Sequence, residues 1–250
     1  MIEIKNLYAG YGKQTVLSGV SAYFEKHKFT SIIGVNGCGK STLLNAALGI
    51  LPIVKGEITV DNRALHLHRR NEIAKKIAYL SQGRNTPDMT VEQMVLHGRF
   101  PYLSYPKRYT AHDTEIARAA MKTVGISELA DKPLYTLSGG MRQAAYIAMA
   151  LVQDTDYIFL DEPTTYLDIS HQIELMKILR ALADAGKGIV AVMHDLPMAF
   201  EFSDEILVLE NGEAKIQAEP KELCDKEIIQ DIFKVQIKRI VDTDKYYYSK

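Results

Sequence analysis

The chain has 250 residues, 47% hydrophobic and 24% charged, with 30 Lys and Arg against 31 Asp and Glu and a formal net charge of −1. That composition belongs to a globular protein with a buried core, in one domain or one domain with a lobe. The charge balance excludes a global field that draws in nucleic acid or an anionic membrane. No apolar run approaches the roughly 18 residues of a bilayer-spanning helix. The opening Met1-Ile2-Glu3-Ile4-Lys5 has no signal-peptide pattern. Cys38 and Cys224 are the two cysteines, and Cys38 sits in a Gly-rich loop where a disulfide would obstruct a ligand, so a reducing compartment is expected.

In chain order, residues 1–33 alternate short apolar segments (Met1–Leu7, Val16–Phe24) with turn signals at Ala9-Gly10-Tyr11-Gly12, and predict a small β-region. Phe29–Ile33 reads as a buried strand and Ser41–Leu48 as a helix. Gly56–Asn62 predicts a strand and turn, and Ile77–Leu80 a buried strand. Helical periodicity then appears over 91–98, 113–124 and 141–152, broken by a Pro- and Tyr-rich loop near 101–109. Tyr157–Leu160 and Gly188–Met193 suit central strands of a parallel sheet covered on both faces, with a crossover helix over 170–184. Glu205–Leu209 and Glu213–Ala218 flank Asn211-Gly212 and predict a hairpin. The tail 220–250 is expected to hold a short helix and a strand. Tyr246-Tyr247-Tyr248 within it reads as packing.

Three motifs carry chemistry. Gly34, Asn36, Gly37, Cys38, Gly39, Lys40, Ser41 and Thr42 lie in a G-x-x-x-x-G-K-[ST] run between a predicted strand and a predicted helix. Backbone N–H groups and a helix N-terminus there cradle polyphosphate. Lys40 has the reach for β- and γ-phosphates, and the Ser41 hydroxyl suits Mg²⁺. Tyr157–Leu160 ends in Asp161-Glu162, one carboxylate for Mg²⁺, usually through water, and one to polarise an attacking water. Leu137-Ser138-Gly139-Gly140 opens a helix and forms a second anion-binding terminus, useful if the two termini act on different ATP molecules or if two chains share each ATP.

This ordered set resembles the ATP-binding subunits of ABC transporters over at least residues 1–220. The resemblance implies an α/β P-loop NTPase with a parallel-sheet core, an N-terminal antiparallel β-region and an inserted helical lobe. One domain is expected, with a nucleotide-binding core of 1–84 and 151–220, a lobe over 85–150 and an extension over 221–250. It further implies that Tyr11 stacks on adenine, that Gln82 senses Mg²⁺ and the transmembrane partner, and that Ser138, Gly139 and Gly140 form the signature motif. Asp168, in Leu167-Asp168, belongs to the loop coupling two sites, and His194 contacts the γ-phosphate. The cofactors implied are ATP and Mg²⁺. The partners implied are a second copy of the chain sandwiching ATP, integral-membrane permease subunits and a separate substrate-binding protein, with no nucleic acid. The place implied is the cytoplasmic face of the membrane.

Residues 163–172, His97–Tyr102 and His194-Asp195-Leu196 are similar to the importer branch for ferric siderophores, haem and vitamin B12. A soluble ABC-type ATPase, such as one serving iron–sulfur cluster assembly, is the alternative. Met141 stands where the family usually has Gln or Glu, and Ala144 where Arg is frequent. The Cys38 thiol is expected to make the ATPase sensitive to alkylation. The segment around Gln82 and the 85–105 loop is expected to meet the permease.

Overall fold

The computed structural model describes residues 1–82, 86–165, 167–224, 226–240, 243 and 245–249. The chain opens with β1 (Ile2–Tyr11) and β2 (Gln14–Phe24), then β3 (Phe29–Ile33), α1 (Lys40–Ala47), β4 (Ile53–Val60), β5 (Arg63–Ala64), α2 (Arg70–Ala74) and β6 (Ile77–Leu80). Three helices follow: α3 (Val91–Leu96), α4 (Ala111–Thr123) and α5 (Gly139–Val152). The chain returns through β7 (Tyr157–Asp161), α6 (Ile169–Asp184), β8 (Gly188–Val192), α7 (Leu196–Phe202), β9 (Glu205–Glu210) and β10 (Glu213–Ala218). It finishes with α8 (Pro220–Cys224), α9 (Ile228–Phe233), β11 (Gln236–Arg239) and β12 (Tyr246–Ser249).

A six-stranded sheet has the order β10-β9-β3-β8-β7-β6, and its five strands from β9 to β6 run parallel. A separate antiparallel sheet has the order β2-β1-β4-β5. The apolar runs of β7, β8 and β9 are buried throughout because each face of the large sheet meets its own core. Tyr157, Phe159, Val190, Val192, Leu207 and Leu209 pack toward α1 and the antiparallel sheet. Ile158, Leu160, Ile189, Ala191, Ile206 and Val208 pack on the opposite side with α5 and α6. Strand side chains alternate between faces, so a two-sided core demands an unbroken apolar run rather than alternation.

Several sequence expectations shift in detail. The turn expected at 9–12 lies at Gly12-Lys13, because β1 continues to Tyr11 in register with Gln14. The helix expected over 91–98 stops at Leu96 and tightens into a 3₁₀ turn, His97–Tyr102, that includes Pro101. Proline cannot extend an α-helical ladder. The tail holds two helices and an antiparallel hairpin rather than one helix and one strand. Tyr246 does pack, edge-on to Phe200 with centroids 5.3 Å apart. Among the described residues no helix is long and apolar enough to cross a membrane.

A buried ion pair ties the helical segment together, linking the 3₁₀ turn to α4 and to the end of α5. Arg99 Nε donates to Asp113 Oδ1 at 2.9 Å, and Arg99 Nη1 donates to the Val152 carbonyl at 3.2 Å. The Thr110 backbone N–H, its hydroxyl and the Arg99 guanidinium hold the Asp113 carboxyl down at about 2, against an ordinary 3.8. A depressed folded value stabilises above the unfolded one, so this contribution is complete above about 4 and fades as pH falls through about 2. Asp113→Ala leaves Arg99 buried without its partner and is expected to cost about 3 kcal/mol. Urea unfolding at pH 7 checks this, and the wild type and variant should converge as pH falls toward 2.

Candidate nucleotide-binding site

The site forms where parallel strands end. The Gly34–Thr42 loop leaves β3, Asp161 ends β7, His194 lies two residues past β8, and Gln82 two past β6. Carboxyl ends of parallel strands are the binding edge of such sheets. A cleft of about 600 Å³ opens there, lined by Val16, Asn36, Gly37, Gly39, Lys40, Ser41, Thr42, Gln82, Glu162, Thr165 and His194. Its size falls in the range of small-ligand sites.

The loop is shaped by its glycines. Gly37 and Gly39 have φ of 79° and 106°, a left-handed conformation that costs L side chains strain. A Cβ on Gly39 would also sit 2.7 Å from Leu17 Cδ2. Gly39 caps α1 in that conformation, with no acidic residue in the helix's first turn. The first N–H groups of a helix lack internal partners and carry partial positive charge, so they favour an anion in the cleft. Lys40 is buried, and its Nζ donates to the carbonyls of Gly34 at 2.8 Å and Val35 at 3.1 Å. A cation in that position attracts phosphate.

Ser41 Oγ donates to Asp161 Oδ1 at 3.1 Å. Burial pushes the Asp161 carboxyl up, and the adjacent Glu162 charge adds to this. Among the described residues no ion pair meets Asp161. A buried carboxylate beside a hydroxyl is a hard-oxygen pair that fits Mg²⁺, an ion held by one or two carboxylates plus substrate phosphates. Among the described residues no group of three or more His, Cys, Asp or Glu side chains is placed to hold a metal ion.

Glu162 has φ of 52°, a left-handed backbone at the strand end. Such residues cost about 1–3 kcal/mol and persist where neighbours over-determine them. Three neighbours do so here. Gln82 Nε2 donates to Glu162 Oε2, Thr165 Oγ1 reaches the same oxygen at 3.2 Å, and His194 Nε2 lies 2.5 Å from Oε1.

Not every expected residue joins this cleft. Ser138 is the N-cap of α5, its hydroxyl accepting from the Met141 N–H at 3.3 Å, and with Gly139 and Gly140 it lies outside the lining. Asp168 caps α6 and pairs with His171 Nδ1 at 2.7 Å. The His171 ring covers Gly140, where a Cβ would sit 2.7 Å from the ring. The two helix starts therefore touch. Gln143 Nε2 donates to the Pro163 carbonyl at 2.9 Å, tying α5 to the turn after Glu162. Tyr11, about half exposed at the end of β1, is outside the lining too. Gly83 to Asn85, where the 85–105 loop begins, and Tyr166 within 163–172 lie outside the described residues.

Sequence reasoning missed Thr165 and Val16 as lining residues. Thr165 carries a signal only once Glu162 is known, as a hydroxyl three residues on. Val16 has none, since it is an apolar residue of a strand. Nothing in the structure explains Ala144. Cys38 departs from expectation: it is buried at 3% exposure, and burial pushes its thiol up. The thiolate is the reactive form, so the expected sensitivity to alkylation is weak in the folded chain.

A phosphate-cradling loop, a paired Asp-Glu and a separate Ser-Gly-Gly helix start define a P-loop nucleotide-hydrolysing protein. Residues 17–165 match the family described as ABC transporter. The chain is 40% identical to the ferric enterobactin transport ATP-binding protein FepC of Escherichia coli (strain K12), over 92% of this chain and 85% of that one. It is 38% identical to the petrobactin import ATP-binding protein FpuD of Bacillus anthracis, over 98% and 90% respectively. It also superposes on a dimeric bacterial ABC transporter cassette with a TM-score of 0.77 and 28% identity, over 88% and 99% of the two chains. The chain belongs to the ABC transporter family and is an ATPase.

Iodoacetamide at pH 7.5 is expected to label the partly exposed Cys224 and to leave Cys38 unmodified until the chain is denatured. Peptide mapping by mass spectrometry reads both sites.

Proposed function

We propose that the chain is the ATP-hydrolysing subunit of a bacterial importer, energising uptake of an iron chelate: a ferric siderophore, haem or a related cobalamin-type cargo. One observation carries the ATPase chemistry, the convergence of Lys40, Ser41, Glu162, Gln82 and His194 on one cleft, with Asp161 hydrogen-bonded to Ser41. The names of the relatives, petrobactin import and ferric enterobactin transport, support the cargo class. They also favour import over an iron–sulfur cluster assembly ATPase. The partners are membrane permease subunits, which the ATPase meets at the cytoplasmic face, and a separate substrate-binding protein that delivers cargo.

In this reading ATP lays its phosphates over Gly34 to Thr42, including Asn36, Gly37, Cys38 and Gly39, where backbone N–H groups receive them. Tyr11 stacks on the adenine. Lys40 exchanges the carbonyls of Gly34 and Val35 for the β- and γ-phosphates. Ser41 and Asp161, with Gln82 beside them, would hold Mg²⁺, which would supply charge neutralisation at the phosphates. Glu162 acts as general base on the attacking water, and His194 contacts the γ-phosphate. Ser138, Gly139 and Gly140 act on the ATP of a second copy, since they lie outside their own chain's cleft. Asp168 links the two sites. Closure of the pair drives the permease, and hydrolysis with phosphate release reopens it.

Glu162→Gln is expected to abolish turnover and to accumulate an ATP-bound dimer, whereas Lys40→Ala should lose ATP binding. Light scattering with and without ATP distinguishes them, and a monomeric ATP-bound Glu162→Gln chain contradicts the mechanism. A tagged copy solubilised from membranes in mild detergent should bring down a polytopic permease in stoichiometric yield. Recovery with soluble partners alone contradicts import.

A further inference from the structure

The C-terminal hairpin reaches the site through α7. Its strands β11 and β12 pair Ile237 with Tyr248 and Arg239 with Tyr246. Ile237 and Tyr246 are buried and belong to the same core as Leu196, Ala199 and Phe200 of α7. Tyr246 sets its ring on Phe200 at 61°. The hairpin therefore lies directly on α7, and Tyr248 extends toward the beginning of that helix.

That beginning is two residues from His194. The Leu196 N–H, the first of α7, donates to the Tyr248 hydroxyl at 3.3 Å. The Met198 N–H donates to Asp195 Oδ1 at 2.8 Å. A helix start leaves such donors without internal partners, so one is closed from within the turn and one from the far end of the chain. Between the end of β8 and these two bonds lie only Met193 and His194. Met193 is buried and its N–H donates to the Ile32 carbonyl at 3.0 Å. The short link carrying His194 is thus anchored on one side by the sheet and on the other by Asp195 and Tyr248.

We propose that Tyr248 is a positioning residue for the ATPase site: its hydroxyl fixes the start of α7 and so fixes His194 against Glu162. Tyr248 is not among the residues lining the cleft and acts through His194, whose Nε2 lies 2.5 Å from Glu162 Oε1. Tyr248 is half exposed, and the partial desolvation of its phenol, with the Asp195 charge adding to it, pushes the phenol up. The C-terminal hairpin is then part of the catalytic support rather than an appendage. This inference rests on the ATPase reading, and one arm of its test does not depend on turnover.

The test is Tyr248→Phe, which keeps the ring and removes the hydroxyl. Loss of one such hydrogen bond is expected to lower kcat about two- to tenfold, with the KM for ATP and the melting temperature unchanged. Tyr246→Ala is the structural comparison, because it deletes the packed ring and should lower the melting temperature. Independently of activity, a spectrum of the chain labelled with ¹⁵N-histidine resolves its seven histidines. A His194→Asn sample assigns the relevant signal. That signal should move in Tyr248→Phe while the signal of exposed His112 on α4 stays. An unmoved His194 signal overturns the proposal, as does a kcat loss matched by a lower melting temperature. If the wild type shows no ATPase activity the functional reading fails, and the spectrum still decides whether Tyr248 positions His194.

Discussion

The parallel register of three strands fixes everything else at the site. Ile32 of β3 and Asp161 of β7 both pair with Val192 of β8. The three strands thus end at one level, and the residues after them have to meet. Gly34 begins the loop two residues past Ile32, Asp161 is the strand tip itself, and His194 follows two residues past Val192. The Ser41–Asp161 hydrogen bond closes this arrangement across the edge. A one-residue slip of β7 would turn Asp161 to the other face and break it. The apolar runs resist such a slip because both faces of the sheet are buried in separate cores.

Within that frame the reactive groups occupy each other. Lys40 rests on loop carbonyls, and Asp161 is held by Ser41. Glu162 is held by Gln82, Thr165 and His194. Each of these groups has a protein partner, and the strained backbone at Glu162 is supported by three of them. Gln82 is the informative member, since it sits on β6's exit at the sheet edge nearest the α3–α5 helices.

Much of this was legible in the residues, for identifiable reasons. The Gly37 and Gly39 spacing, Lys40 and Ser41 form a contiguous motif whose geometry is local, and Tyr157–Asp161 carries its buried-strand character in an unbroken apolar run. The hairpin at Asn211-Gly212 was legible because both residues adopt positive φ, as its turn type requires. What was not legible depends on contacts distant in sequence. Thr165 matters only because the chain turns at Glu162. Cys38 is shielded only because the fold buries it. The tail was expected to hold one helix and one strand, and its second helix and its hairpin were missed because the hairpin packs on α7, some 50 residues earlier. The 3₁₀ turn at 97–102 was masked by a helical period that persists beyond the point where Pro101 forbids it.

The central claim is that one chain holds half a site, with the Ser138 helix start reserved for the ATP of a second copy. Energy transfer between two pools of the Glu162→Gln chain tests it, each also carrying Cys224→Ser. One pool is labelled at Lys13→Cys, in the exposed turn between β1 and β2, and the other at Tyr135→Cys, exposed and three residues before Ser138. Transfer between the pools should rise on adding ATP with Mg²⁺ and fall again when the ATP is removed. Transfer that ignores ATP would contradict the account.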